Sequence, residues 1–248
     1  MGLIQEELKM SETKVFETEK YANKEIVKIT KDNVAIAEAM IRNDSDYIVM
    51  YDTKAKESGA YYLSQLKSVY EDEKRGVHPQ ENVKNIIENV VAALDRENST
   101  HLNADGVGRE AISERIYKEY KSGRLFDLLK NPGKDYELFK IIEKKTKPKD
   151  KAKHGRVNTS FASKFCHYAA FFVFEGKKEQ DNYSIWDSVL RKTIPTYLDY
   201  YKLDSKKYNL KDYVSYQKAI DDIRNSADEK VSRNGFDHLL WYYYKGRI

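Results

Sequence analysis

Asn158-Thr159-Ser160-Phe161-Ala162-Ser163-Lys164-Phe165-Cys166-His167-Tyr168 is the stretch on which the reading of this chain turns. Its apolar residues run on through Phe171, Phe172 and Phe174, and Thr159 or Ser160 is expected to cap the helix. Lys164 falls about one turn inside it. A lysine in such a place is costly, because desolvation disfavours the charged form and lowers its pKa. A partly neutral amine is in turn a nucleophile. Asp187 follows in Tyr183-Ser184-Ile185-Trp186-Asp187-Ser188. The interval leaves room for the rest of the helix, a turn through Gly176 to Asn182 and the start of the next helix. The two side chains are thus expected to meet in a cleft, where the carboxylate stabilises a cationic transition state.

Upstream lies a connector, Lys144 to Arg156, which sets Lys144, Lys145, Lys147, Lys149, Lys151, Lys153 and Arg156 against Glu143 and Asp150 and is broken by Pro148 and Gly155. Free helix amides near Thr159 to Ala162 attract a phosphate through the helix dipole. Lys151, Lys153, Arg156, Thr159 and Ser160 are therefore the candidate phosphate contacts. The plainer readings are a solvated linker, a snorkelling surface Lys164 and a first-turn Asp187 that complements the helix dipole.

The rest of the chain reads as mostly α. Val83, Ile86, Ile87, Val90, Val91 and Leu94 give the clearest helix, about Pro79 to Arg96, with Pro79 suited to its first turn. Helical spacing also covers Val34 to Ile41, Tyr61 to Tyr70, Arg109 to Tyr120 and Tyr136 to Ile142. Further helices are expected near 184–202, 211–226 and 234–245. Residues 1–31 alternate enough for a small sheet or hairpin, and Asp46 to Tyr51 is an apolar run of either type. A single domain over 1–248 is expected, with an N-terminal part to residue 78 and a helical part from 79 on.

Composition excludes several classes. One cysteine, Cys166, rules out a disulfide framework and a cysteine-ligated cluster within the chain. His78, His101, His154, His167 and His238 are scattered, and no phosphate-loop motif is present, so no metal and no cofactor is expected. A net charge of +4 is too mild to announce nucleic acid alone. The most apolar window, Tyr168 to Phe174, is too short to span a bilayer. With no secretory pattern at the start and Glu6 where a myristoylation motif needs Ser or Thr, a cytoplasmic monomer is expected.

The segment Ser160-Phe161-Ala162-Ser163-Lys164-Phe165-Cys166, followed by Tyr183-Ser184-Ile185-Trp186-Asp187, resembles the active-site segment of 8-oxoguanine DNA glycosylases of the helix-hairpin-helix superfamily. Gly235-Phe236-Asp237-His238-Leu239-Leu240-Trp241 is similar to their C-terminal helix. The likeness covers roughly residues 155–195 and the end of the chain. It implies a two-lobed helical fold acting on DNA, with Lys164 as nucleophile at the sugar C1′ and Asp187 stabilising the sugar cation. The extruded base then needs an aromatic pocket, for which Phe165, His167, Tyr168, Trp186 and Trp241 are the candidates. Two departures stand out. Only Gly155 represents the glycines usual before the lysine helix, and Glu175, Lys177, Lys178 and Glu179 load the following loop with charge. A second hairpin-like run, Leu102 to Ala111, has Glu110 where a lysine is needed and reads as an ordinary turn. The expected activity is that of a bifunctional DNA glycosylase and AP lyase. The alternative is a non-catalytic module of the same fold that binds nucleic acid or protein.

Overall fold

The apolar period over 83–94 becomes the buried face of a helix, Val83–Glu97, whose inward residues are almost fully covered. This computed structural model describes residues 15–43, 52–77, 82–102, 108–146 and 155–247. The expected Pro79 start and the Asp46 to Tyr51 run lie outside them, as do Lys151, Lys153 and residues 103–107 of the expected turn. In chain order the described elements are β1 (Thr18–Tyr21), β2 (Lys24–Val27), α1 (Lys31–Asn43), α2 (Gly59–Lys74), α3 (Val83–Glu97), α4 (Gly108–Lys121) and α5 (Leu125–Lys130). They continue with α6 (Glu137–Glu143), α7 (Thr159–Val173), α8 (Ser188–Tyr200), α9 (Tyr213–Ser226) and α10 (Arg233–Tyr244).

The fold is mostly helical with one small N-terminal sheet, as the patterning implies. β1 and β2 pair antiparallel, Thr18 opposite Val27, around Ala22-Asn23. Both turn residues have positive φ, the geometry of the two-residue hairpin whose twist matches its strands. One continuous hydrophobic cluster draws on β2 and every described helix. α7 lies within it, packed on α2, α3, α5 and α6 and buried on nearly all sides. A helix that is apolar all round belongs to a core, so Lys164 is the exception on an interior element. Among the described residues, no helix is long and apolar enough to cross a membrane.

Two local readings are corrected, and one helix, α5, is added that the spacing does not announce, since its six residues are too few to display a period. α8 begins at Ser188 rather than near 184, because Asp187 is extended and caps it. α7 is preceded by Asn158 at the cap position, whose side chain does not cap; its amide reaches Lys144 O and Arg156 O instead. Neither Thr159 nor Ser160 is the cap, and Thr159 Oγ1 donates to Glu143 Oε1 at 2.6 Å.

The described residues at the two ends of the connector between α6 and α7 are bonded to each other: Thr146 N donates to Arg156 O (3.1 Å) and Asn158 N to Glu143 O (3.0 Å). From α4, the Arg115 guanidinium donates to Ile142 O, Lys144 O and Lys145 O, taking up carbonyls at the end of α6. Gly155 sits so close that an added Cβ would lie 1.7 Å from Thr146 O. That obstacle is backbone and does not yield as a flexible side chain would. Gly155→Ala is expected to destabilise the chain by about 1–3 kcal/mol in chemical denaturation. A neutral result would mean that the backbone at Thr146 and Gly155 separates without consequence. Gly108 meets Leu102 O in the same way, with a Cβ distance of 1.9 Å, at the start of α4.

Candidate active site

The segment 183–187, between α7 and α8, is extended and mostly buried, so its backbone polar groups need partners from elsewhere. Side chains supply them. His167 Nδ1 donates to Tyr183 O (2.8 Å), Tyr213 Oη to Ser184 O (2.7 Å) and Tyr216 Oη to Ile185 O (2.6 Å). Ile185 N donates to Asp237 Oδ2 at 2.8 Å, and Trp186 N to Ser163 Oγ at 2.9 Å. Ser163 precedes Lys164 on α7, so this last bond ties the Asp187 segment to the lysine helix. Asp187 itself accepts from Val189 N at 2.6 Å and starts α8. The position of that carboxylate is thus fixed from α7, α9 and α10 together.

Lys164 and Asp187 both line one cavity of about 260 Å³. Its walls come from Ile41 of α1, the end of α3 (Glu97, Asn98, Ser99), α7 (Lys164, Tyr168), the 185–190 segment and α10 (Asp237, His238, Trp241, with Lys245 just beyond). Lys164 is half-buried, and burial holds its pKa below the ordinary lysine value of 10.5 while the nearby Asp187 charge pulls it back up. Its Nζ donates to Asn98 O at 3.3 Å. Asn98 is the C-cap residue of α3, so that carbonyl lies at a helix C-terminal end, where the dipole favours a cation. The two side chains make no direct ion pair. The amine thus stands in a partly dry wall, its charge opposed by burial and supported by a helix end and a carboxylate.

Of the five aromatic candidates, Tyr168 and Trp241 line the cavity, and Phe165, His167 and Trp186 do not. Tyr168 is one turn beyond Lys164 and so shares its face. Phe165 is wholly buried in the core. His167 is buried as well; desolvation, then the adjacent His238, holds its pKa down at about 3, so it is a neutral ring serving Tyr183 O. Trp186 alternates away from the cavity, since neighbours on an extended chain point to opposite sides. Its ring packs 5.0 Å from Tyr216, under the Arg191 guanidinium at 5.1 Å.

Sequence reasoning missed Asp237 and His238 as lining groups. Desolvation pushes the Asp237 carboxyl well above the usual carboxylate range, and His238 Nδ1 lies 3.7 Å from Glu38 Oε1. Their signal was present in the polar pair Asp237-His238 set within the otherwise apolar run before Trp241. Glu97, Asn98 and Ser99 had none, because only tertiary packing brings the end of α3 to α7. Lys245 covers the Trp241 ring with its Nζ 4.6 Å from the centroid, a cation–π contact at the cavity rim.

Of the expected phosphate contacts that are described, Arg156 is exposed just before α7, and Thr159 and Ser160 are half-buried at its start. The Thr159 hydroxyl is already engaged by Glu143, leaving Arg156, Ser160 and the α7 amides as the available groups. Among the described residues, no group of His, Cys, Asp and Glu side chains is placed to hold a metal ion. No protein-family model, curated protein or solved structure matches the chain.

Proposed function

We propose that this chain is a DNA glycosylase with AP lyase activity, removing a damaged or modified base through Lys164. One observation carries the reading: a partly desolvated lysine amine shares a cavity with a fixed carboxylate and two aromatic side chains. The start of α7, about one turn before that lysine, supports it, since its free amides and the exposed Arg156 could take a phosphate.

In this reading the target nucleotide leaves the stack and its base enters the cavity against Tyr168 and Trp241. The Nζ lone pair forms a bond to C1′ as the glycosidic bond breaks, and that electron pair departs with the base. Asp187 stabilises the positive charge that develops on the sugar. It accepts the proton shed by the attacking amine and passes it to the leaving base. Ring opening gives an imine between Nζ and C1′. Loss of a C2′ proton then breaks the C3′–O bond, expels the 3′ phosphate and nicks the strand. Water hydrolyses the imine and frees the lysine.

The neutral amine is the reactive form, so the rate rises with pH as Lys164 loses its proton. Because burial lowers that pKa, the half-maximal point in single-turnover nicking of an abasic duplex is expected below 10.5. A midpoint at or above the ordinary lysine value would contradict a desolvated nucleophile. The general test is borohydride reduction on duplexes that each carry one defined lesion. A covalent protein–DNA adduct is expected, and its absence across a broad panel and on abasic sites would count against the proposal.

A second reading, binding without catalysis, is favoured by one feature. Lys164 and Asp187 each already have a protein partner, Asn98 O and Val189 N, and do not pair with each other. It requires salt-sensitive DNA binding with no adduct.

A further inference from the structure

The loop that carries the partner of Lys164 is built against local preference. It follows α3, and Asn98 O at its start accepts the Nζ hydrogen bond at 3.3 Å. Ser99, which lines the cavity, and His101 both have positive φ, 49° and 56°. Residues other than glycine rarely adopt this left-handed geometry, and it persists only where the surroundings impose it.

Asp95 imposes it. The residue is 3% exposed in the last turn of α3, where the helix dipole disfavours an anion. Oδ1 accepts from Thr100 Oγ1 (2.6 Å) and from Leu102 N (2.9 Å), and Oδ2 accepts from Arg109 Nε (2.7 Å). Thr100 N also donates to Asp95 O at 3.2 Å. Each left-handed residue is thus followed directly by one that is bonded to the same buried side chain. Burial pushes the Asp95 carboxyl up, but the Leu102 amide, the Thr100 hydroxyl and the Arg109 guanidinium together hold it below the ordinary aspartate value, so it stays charged.

We propose that Asp95 is a positioning residue for the reaction: by clamping residues 98–102 it holds Asn98 O where that carbonyl orients the amine of Lys164. This rests on the base-excision reading of the cavity. A neutral amine has two N–H bonds and one lone pair. With one N–H directed at Asn98 O, the lone pair is turned away from that carbonyl and is available to C1′. A backbone carbonyl has no side chain to delete, so its role is tested through the clamp. The same hydrogen bond favours the charged amine. Loosening the loop therefore has two opposed consequences. More of the lysine is neutral at a given pH, yet the neutral amine is worse placed, and a displacement of about 1 Å lowers a rate by about 10²-fold. Partial unfolding, by contrast, lowers the rate without moving the midpoint.

The test follows single-turnover nicking of a preformed abasic duplex by full-length protein across pH, with borohydride trapping alongside. The other titratable groups lining the cavity are Tyr168, Asp187, Glu97, Asp237, His238 and Lys245, and every variant keeps them. Asp95→Ala should lower the high-pH plateau about 10- to 100-fold and shift the midpoint toward acid. Adding Ser99→Gly should restore part of the plateau, because glycine takes positive φ without the clamp. Thr100→Val removes one bond to Asp95 Oδ1 with little change of shape. It should move plateau and midpoint in the same directions, with a loss of about 3- to 10-fold. If Asp95→Ala does not fold, Thr100→Val decides alone. A wild-type plateau, an unmoved midpoint, or a double variant no faster than Asp95→Ala would overturn the proposal and leave Asp95 as a support for the turn. A wild type that neither nicks nor traps the abasic duplex removes the excision reading itself. A wild type that does both leaves that reading standing however the variants behave.

Discussion

Lys164→Gln is expected to abolish borohydride trapping and to lower base excision by about 10³-fold or more, the scale on which loss of a covalent nucleophile acts. The substitution is chosen to disturb little else. Glutamine has nearly the reach of lysine and retains an N–H donor for Asn98 O, the one hydrogen bond that Lys164 Nζ makes among the described residues. It also removes a charge that burial disfavours, so stability should hold or rise slightly. DNA binding should persist, because the proposed phosphate contacts lie at Arg156 and the start of α7 rather than at Lys164. Wild-type trapping in this variant would move the nucleophile elsewhere. Equal loss of binding and trapping would make Lys164 a DNA contact rather than a reacting group.

Asp187→Asn is expected to lower excision about 10²- to 10³-fold while leaving the fold intact. The expectation separates two tasks borne by one side chain. Asp187 caps α8 through Val189 N, and asparagine is as good a cap as aspartate, so the stability change should stay below about 1 kcal/mol. Its charge, however, is what stabilises a sugar cation, and a pre-placed group of that kind contributes on the order of 10²–10³ in rate. The charge also holds up the Lys164 pKa, so its removal should shift the pH profile of trapping further toward acid. An Asn variant with full activity would reduce Asp187 to a helix cap. An Ala variant adds a check: it should lose the cap as well, with about 1 kcal/mol of stability.

Parts of this site were legible in the sequence because they depend on local pattern. The period over 83–94 and the apolar run around Lys164 each encode one element, and one element is enough to recognise a helix or an out-of-place cation. Tyr168 follows for the same reason, one turn from Lys164 on a helix. Trp186 was misassigned because 184–187 read as helix, where it and Asp187 share a side. Its extended conformation, held by Ser163, Tyr213, Tyr216 and Asp237, sends Ile185 and Asp187 to the cavity and Trp186 away. Those partners lie 23 to 52 residues distant, and no local propensity reports them. His167 was misplaced for a related reason. Its ring serves a backbone carbonyl of the incoming segment, a need that exists only once the segment is there. Asn98 and Glu97 come from the end of α3, and Asn98, the carbonyl partner of the lysine, precedes it by 66 residues.

The most direct measurement is peptide mapping of the protein–DNA adduct left after borohydride reduction on an abasic duplex. If a half-dry amine beside a fixed carboxylate is what this fold builds, the sugar fragment will be found on the peptide bearing Lys164 and on no other. An adduct on a different lysine, or none at all, would contradict it.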